Sequence, residues 1–148
     1  MDAFELSIMI KRPIEEAFAV LANLENDVKW HNNLVETKNT SEGSLGVGAT
    51  FLYAGELLGR RMETVYELTE YEPTRSAAWK SVSGPLPLKF WRTLERAEGG
   101  TRFTLRYEWD GEVRGFLKLA APLITRYARR QHEGAMRKVK ELMDAHAL

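Results

Sequence analysis

The sequence predicts an α+β fold in which a curved antiparallel sheet of seven strands is closed by one long C-terminal helix. Two observations carry this prediction. Apolar and polar residues alternate with a period of two over most of the first 110 residues, as in half-buried strands. From about Glu112 the apolar period becomes helical. The 148 residues suffice for one domain, predicted as residues 1–148, and leave too few for a second core.

The chain begins with a predicted strand that is followed by two short helices. From Phe4 to Ile10 apolar residues alternate with polar ones, so that one face is buried. Pro13 suits the first turn of a helix, and two glutamates follow near its positive end. A second short helix is expected after Asn23, which is a favourable N-cap residue. Trp30 ends this helix and is expected to fill the junction between the short helices and the sheet.

Six further strands are predicted from about residue 34 onward. Their segments are LVETKNTS, ATFLYAG, RRMETVYELTEYE, RSAAWKSVS, LKFWRTLERA and TRFTLRYEWD. Turn-forming segments such as SEGSLGVG, GPLP and EGG separate them. Because the connections are short, consecutive strands are expected to pair in antiparallel order.

The C-terminal helix is expected to present one apolar stripe to the sheet. The stripe consists of Phe116, Leu119, Ala120, Leu123, Tyr127, Gln131, Ala135, Lys138 and Leu142. At ~1.5 Å per residue the helix is long enough to cross the whole sheet. One helix cannot fill the concave face of such a broad sheet, so the sequence predicts a cavity beside it.

Composition excludes several kinds of site. The chain has no cysteine, which excludes disulfides, thiolate nucleophiles and zinc sites that use cysteine. Lys plus Arg equals Asp plus Glu at 21 each, so no overall charge favours nucleic acid as a partner. The three histidines are too dispersed to indicate a metal site or a catalytic triad. His31 is either a polar residue that ends the short helix or a residue at the pocket rim, and His132 is expected on the surface. No metal or other cofactor is therefore expected.

The same composition gives expectations about location. No apolar run approaches the ~20 residues that span a bilayer, so stable membrane insertion is not expected. The first residues are interrupted by charges and lack the apolar region of a signal peptide. A cytoplasmic protein is the resulting expectation. The pattern does not indicate an oligomeric state.

Aromatic residues on the inward strand faces are the candidate ligand-binding residues. The candidates are Phe51, Tyr53, Tyr66, Trp79, Phe90 and Tyr107, together with Leu123 and Tyr127 from the long helix. They indicate either a lining for a flat hydrophobic ligand or a close-packed core. Glycines near residues 50–66 permit bulges, which leave the inward phase of those strands open.

Arg92 is a further candidate because it shares the inward parity of Phe90 and Leu94. A buried arginine needs an acceptor, since an unpaired charge in a low-dielectric site is very costly. It could hold a ligand carboxylate, phenolate or enolate with two donors. The alternatives are a structural pair with a glutamate, or a side chain that reaches water at the sheet edge. Arg92, Tyr66 and Tyr107 are the candidate catalytic residues.

Several segments in this order resemble the SRPBCC superfamily, whose members have a START-like, birch-pollen-allergen-like helix-grip fold. The segments are IKRPIEEAFAVLANLENDVKW, GVGATF, LTEYEPTRSAAW and GGTRFTLRYEW, with a terminal helix that carries an early proline. More narrowly, the chain resembles the polyketide cyclase/dehydrase and lipid-transport branch, over essentially its whole length. The resemblance implies a ligand cavity between the sheet and the C-terminal helix.

Three functions remain open at this point. The leading hypothesis is the binding of one small hydrophobic ligand, such as a lipid, a polyketide or another aromatic molecule. The second is a polyketide cyclase or aromatase, in which Arg92 and a tyrosine would stabilise an enolate. The third is a protein-interaction or stress-response module without an enclosed ligand. The size of the cavity separates them, because drug-sized ligands need roughly 300–1,000 Å³.

Overall fold

The order of elements agrees with the prediction. The computed structural model describes residues 2–43, 45–57, 59–84, 87–109 and 116–148, without the side chains of residues 2, 57, 116–122 and 124. Its elements are β1 (Asp2–Ile10), α1 (Ile14–Leu21), a 3₁₀ helix (Leu24–Lys29), β2 (Leu34–Asn39), β3 (Thr50–Leu57), β4 (Arg60–Glu72), β5 (Ser76–Ser83), β6 (Leu88–Ala97), β7 (Gly100–Trp109) and α2 (Phe116–Asp144). The α+β fold, with seven strands and one long helix, is confirmed.

The seven strands form one antiparallel sheet in the order β1-β7-β6-β5-β4-β3-β2. The first strand pairs with the last along its whole length, from Asp2 opposite Trp109 to Ile10 opposite Thr101. The other pairs are sequential neighbours, as predicted. The pairing of β4 with β5 shifts register between Val65 and Tyr66, within the region 50–66 whose inward phase the sequence left open, and again between Leu68 and Glu70. The sheet curls into a half-barrel whose concave face holds the core.

The short helices connect the two edge strands β1 and β2 and cover one end of the concave face. Helix α1 has Pro13 at its N-cap and acidic residues in its first turn, and it buries Phe18 and Leu21. The 3₁₀ helix begins at a side-chain cap in which Asn23 accepts a hydrogen bond from the Glu25 amide at 3.1 Å. Trp30 follows this helix and is fully buried, as predicted for the junction.

The buried face of helix α2 matches the predicted stripe only in part. Its buried residues are Ala135, Met136, Val139 and Met143, of which Ala135 alone was predicted. Leu142 of the predicted stripe packs partly buried against the core, whereas Lys138 and Leu123 are exposed. Val139 takes the buried position that was assigned to the adjacent Lys138. The predicted start near Glu112 and the predicted inward side chains of Phe116, Leu119 and Ala120 lie outside the described part of the chain.

The C-terminal end of α2 is attached to β1. The Lys140 ammonium donates to the carbonyl oxygen of Met9, and Asp144 accepts a 2.7 Å hydrogen bond from the Lys11 amide. The helix is therefore held at this end by polar contacts as well as by its buried residues. None of the helices in the described ranges has the length and apolar character needed to cross a bilayer.

Candidate functional site

A cleft of about 270 Å³ lies between helix α2 and the part of the sheet formed by β3, β4 and β7. Among the described residues, six aromatic side chains contribute to its lining: His31, Tyr53, Tyr66, Tyr107, Tyr127 and His132. Two other depressions are larger, at about 380 and 300 Å³. The first lies at the chain turns around Lys11 and Gly100, and the second lies beside Lys80 and Lys89. No α2 side chain that the structure describes lines either of them, whereas the cleft lies beside α2, where the sequence predicted a cavity.

The predicted ligand-binding residues separate into three groups. Tyr53, Tyr66, Tyr107 and Tyr127 line the cleft. Phe51, Trp79, Phe90 and Arg92 are fully buried and are not among the lining residues. Leu123 is 68% exposed and is not among them either.

The walls of the cleft are aromatic rings in mutual contact. The rings of Tyr53 and Tyr66 meet edge to face at 5.4 Å. On the helix side the His132 ring lies 4.2 Å from Tyr107 and 5.6 Å from His31. Such pairs each add roughly 0.5–1.5 kcal/mol beyond the area they bury, so the rings hold one another in place.

A buried ion pair lies directly behind the cleft. Arg92 from β6 donates one guanidinium N–H to Asp27 Oδ1 at 2.9 Å and another to Asp27 Oδ2. It also donates to the carbonyl oxygen of Leu21 at 2.9 Å, which satisfies the C-terminal end of α1. The guanidinium lies over the Trp30 ring at 5.0 Å. The pair thus joins α1, the 3₁₀ helix and β6 at one point.

Asp27 connects this ion pair to the cleft. The Tyr53 hydroxyl donates a 2.8 Å hydrogen bond to Asp27 Oδ2, and His31 Nε2 lies 3.7 Å from the same oxygen. Both Tyr53 and His31 line the cleft, while Asp27 itself is fully buried. The carboxylate therefore faces groups that a ligand would touch without being exposed to the ligand.

Burial disfavours the charged forms of three tyrosines and two histidines of the cleft. It raises the pKa of Tyr53, and the nearby Asp27 charge adds to the effect. The pKa of Tyr66 and that of Tyr107 are raised mainly by burial as well. Burial and the Arg92 charge hold the pKa of His31 well below its ordinary value. For His132, burial and then the neighbouring His31 lower the pKa in the same direction.

Arg92 keeps its charge for a different reason. Burial disfavours the guanidinium cation, but the Asp27 carboxylate raises the pKa of Arg92 above its usual value. Positive and negative charge are therefore matched within the ion pair. The cleft in front of it combines neutral hydroxyl and imidazole groups with apolar ring faces, which suits a ligand that carries a few polar groups.

The structure also differs from the sequence interpretation in the place of His132 and in the partner of Arg92. His132 was expected on the surface, but it is half-buried and lines the cleft. A glutamate was considered as the structural partner of Arg92, whereas the partner is Asp27. Asp27 itself was missed. The sequence signal that pointed to such a residue was the inward position of Arg92, because a buried arginine needs an acceptor in a neighbouring element.

Metal binding has no support in the described part of the chain. No group of three or more histidine, aspartate or glutamate side chains there is arranged to hold a metal ion. Two of the buried nitrogens that lack a hydrogen-bond partner among the described residues, His31 Nε2 and His132 Nδ1, belong to the aromatic wall of the cleft.

Comparison with known proteins agrees with this architecture. The sheet curled around a long C-terminal helix, with two short helices after the first strand, defines a helix-grip protein. Residues 1–144 match the family described as polyketide cyclase/dehydrase and lipid transport. The chain belongs to this family, within the SRPBCC superfamily. No curated protein matches the sequence.

Solved structures share the fold at low sequence identity. Protein TTHA0849 of Thermus thermophilus superposes with a TM-score of 0.84 at 14% identity, covering 99% of this chain and 100% of that one. The Zhui aromatase/cyclase of Streptomyces sp. R1128 gives 0.82 at 12%, covering 99% and 96%. A START superfamily protein of Mycobacterium smegmatis gives 0.76 at 9%, covering 97% of both. At such identities the similarity establishes the fold.

Proposed function

We propose that this protein binds one small, flat, hydrophobic ligand in the cleft between β3, β4, β7 and α2. The observation that carries the proposal is the aromatic lining of that cleft, at the place where the fold leaves space beside the helix. The volume of about 270 Å³ lies just below the range of drug-sized sites. One or two fused aromatic rings would therefore fit better than a long lipid or an extended polyketide chain.

The neutral dye N-phenyl-1-naphthylamine provides a direct test, because its fluorescence increases in an apolar site. Titration of the protein is expected to give a saturable increase with one site per chain. The variant Ala128→Trp places an indole in the cleft from α2, since Ala128 lines it, and should weaken dye binding at least tenfold. Ala145→Trp adds the same group at an exposed position after α2 and should bind as wild type does.

Two results of these titrations would contradict the proposal. Equal affinity of Ala128→Trp and wild type, with both proteins folded by circular dichroism, would show that the dye binds elsewhere. The absence of any saturable signal, with this dye and with simple substituted naphthalenes, would remove the binding function itself.

A cyclase-type enzyme is the second candidate, and the placement of Tyr66 and Tyr107 favours it. Their side chains reach the same cleft, where proximity and hydrogen bonding could assist ring closure of a bound poly-β-keto compound. Arg92 would act from behind them, through Asp27 and Tyr53. Product analysis by mass spectrometry after incubation with a poly-β-ketone would test this. Unchanged turnover in the double variant Tyr66→Phe/Tyr107→Phe would exclude the proposed role of these tyrosines.

A further inference from the structure

We propose that Asp27 sets the selectivity of the cleft, because it takes the hydroxyl proton of Tyr53 in a hydrogen bond and leaves the Tyr53 oxygen as an acceptor for the ligand. The inference rests on the proposed function and names the class of ligand. The cleft selects a neutral aromatic molecule that carries a hydroxyl or N–H donor. It discriminates against carboxylates and against ligands with acceptors only.

The direction of the Tyr53 hydrogen bond follows from the chemistry of its partner. An ionised carboxylate is an acceptor only, so in the 2.8 Å contact the Tyr53 hydroxyl must be the donor. Both Asp27 oxygens already accept N–H groups of Arg92 in a fully buried site, as expected for a carboxylate in a bidentate pair with arginine. With its proton directed at Asp27, the Tyr53 oxygen retains only lone pairs to offer. A donor on the ligand complements this oxygen, and an acceptor does not.

The distribution of charge around the cleft argues against an anionic ligand. Among the lining residues that the structure describes, Glu56 is the charged one, and it is exposed at the rim. The Arg92 cation is neutralised by Asp27 and lies behind the wall. His31 and His132 are uncharged at neutral pH, since their pKa values are lowered by burial. A carboxylate that enters the cleft would lose its hydration, and no cationic side chain among the described lining residues would pair with it.

Tyr66 is the matched comparison for Tyr53. Both tyrosines line the cleft and their rings meet at 5.4 Å, yet the Tyr66 hydroxyl makes no hydrogen bond to any residue that the structure describes. It is free to rotate, so it accommodates a donor or an acceptor equally well. Selectivity for a donor should therefore depend on Tyr53 and not on Tyr66.

Displacement of N-phenyl-1-naphthylamine by three naphthalenes of similar shape tests this at pH 7.5. The probes are 2-naphthol, which has a donor, 2-methoxynaphthalene, which has an acceptor only, and 2-naphthoate, which is anionic. In the wild-type protein, 2-naphthol should bind about fivefold more tightly than 2-methoxynaphthalene, since one additional neutral hydrogen bond has about that effect. The naphthoate should bind most weakly of the three.

Three variants assign the effect to its residues. Tyr53→Phe keeps the Arg92–Asp27 pair and should bring the two neutral probes to within twofold of each other. Tyr66→Phe should preserve the fivefold preference. The double variant Asp27→Leu/Arg92→Met replaces the pair by apolar groups of similar size and releases the Tyr53 hydroxyl, so its preference should also fall to within twofold.

The outcomes separate this inference from the proposed function. If 2-naphthol and 2-methoxynaphthalene bind wild type equally well, the selectivity is overturned while binding in the cleft stands. If the preference survives in Tyr53→Phe, or survives in the double variant, Tyr53 or Asp27 respectively is not the determinant. If no naphthalene and no dye binds, the proposed function fails and the inference fails with it.

Discussion

The concave face of the sheet has two ends that use similar residues for opposite purposes. At the closed end, under α1 and the 3₁₀ helix, rings such as Trp30 and Trp79 pack without exposure around the Asp27–Arg92 pair. At the other end, tyrosines and histidines line the cleft, and Tyr127 is 48% exposed. Both ends are rich in aromatic side chains, so the residue type alone does not decide whether a ring lies in the core or lines the cleft.

The covering elements account for the difference. Two short helices meet at the closed end, where α1 contacts β6 and β7 and the 3₁₀ helix contacts β2. Toward its C-terminus, helix α2 buries Met136, Val139 and Met143, and it contacts β1. Nearer its N-terminus, Leu123 and Tyr127 remain exposed. The comparison shows that the same aromatic strand face forms close-packed core under the short helices and one wall of a cleft beside α2.

The largest effect is expected from breaking the ion pair at the closed end. Arg92→Met leaves the Asp27 carboxylate buried without its partner and should lower the free energy of unfolding by about 3–5 kcal/mol. Urea denaturation measures this. As the matched control, Arg96→Met removes the pair with Glu15, which is exposed on both sides, and should leave the stability nearly unchanged.

The double variant Asp27→Leu/Arg92→Met extends this test, because it leaves no buried charge behind. It should recover most of the stability that Arg92→Met loses. If Arg92→Met and Arg96→Met prove equally stable, the ion pair does not hold the closed end together.

The two tyrosines of the cleft should differ in stability as they do in hydrogen bonding. Tyr53→Phe removes a hydrogen bond to a buried carboxylate and should cost about 2 kcal/mol of unfolding free energy. Tyr66→Phe removes a hydroxyl that has no partner among the described residues, so it should cost much less. Thermal and urea unfolding of both proteins measure the difference. Equal losses would mean that the hydrogen bond from Tyr53 to Asp27 does not stabilise the protein.

Mild acid should lower the free energy of unfolding because of two histidines of the cleft, His31 and His132. Their pKa values are lowered in the folded state, so the unfolded chain takes up protons first as the pH falls below about 6.5. Stability is thus complete above that pH and is lost as the pH falls toward the folded-state pKa values. Between pH 6.5 and 5.5 the loss should be roughly 1 kcal/mol for each histidine.

Substitution identifies the histidines responsible for this pH dependence. His132→Gln should reduce the slope of unfolding free energy against pH in this range. The exposed His146 serves as the control, and His146→Asn should leave the slope unchanged. A slope that is the same in all three proteins would mean that His132 is readily protonated in the folded state.

The smallest effect is expected at Leu123, near the N-terminal end of α2. Leu123→Ala removes a side chain that is 68% exposed and should change the unfolding free energy by less than about 0.5 kcal/mol. Dye affinity should also be unchanged. Met143→Ala, on the buried face of the same helix, should cost about 2–5 kcal/mol. A loss of dye binding in Leu123→Ala would extend the site beyond the described cleft.

Most of the fold could be predicted from the sequence because strand periodicity and turn residues are local signals. All the strand segments predicted after residue 34 are present as β2 to β7. The pairing of β1 with β7 was not deducible from short connections, because it joins the first strand of the chain to the last. The buried face of α2 was predicted only in part: Ala135 is buried as expected, but helical spacing alone did not choose between the adjacent Lys138 and Val139.

The candidate site could be predicted only in part. The inward parity of Tyr107 was readable because strand side chains alternate, whereas possible bulges left the phase of Tyr53 and Tyr66 open. Whether an inward ring faces the closed end or the cleft depends on which covering element lies opposite, and that is a property of the tertiary structure. Asp27 was missed for the same reason, since its role arises only where the 3₁₀ helix meets β6.

A crystal structure with bound N-phenyl-1-naphthylamine tests the central claim most directly. The account predicts the naphthalene ring between Tyr53, Tyr107 and Ala128, with the Asp27–Arg92 pair intact and the closed end unchanged. Dye bound at the depression near Lys11 and Gly100, with the cleft closed by side chains, would contradict it.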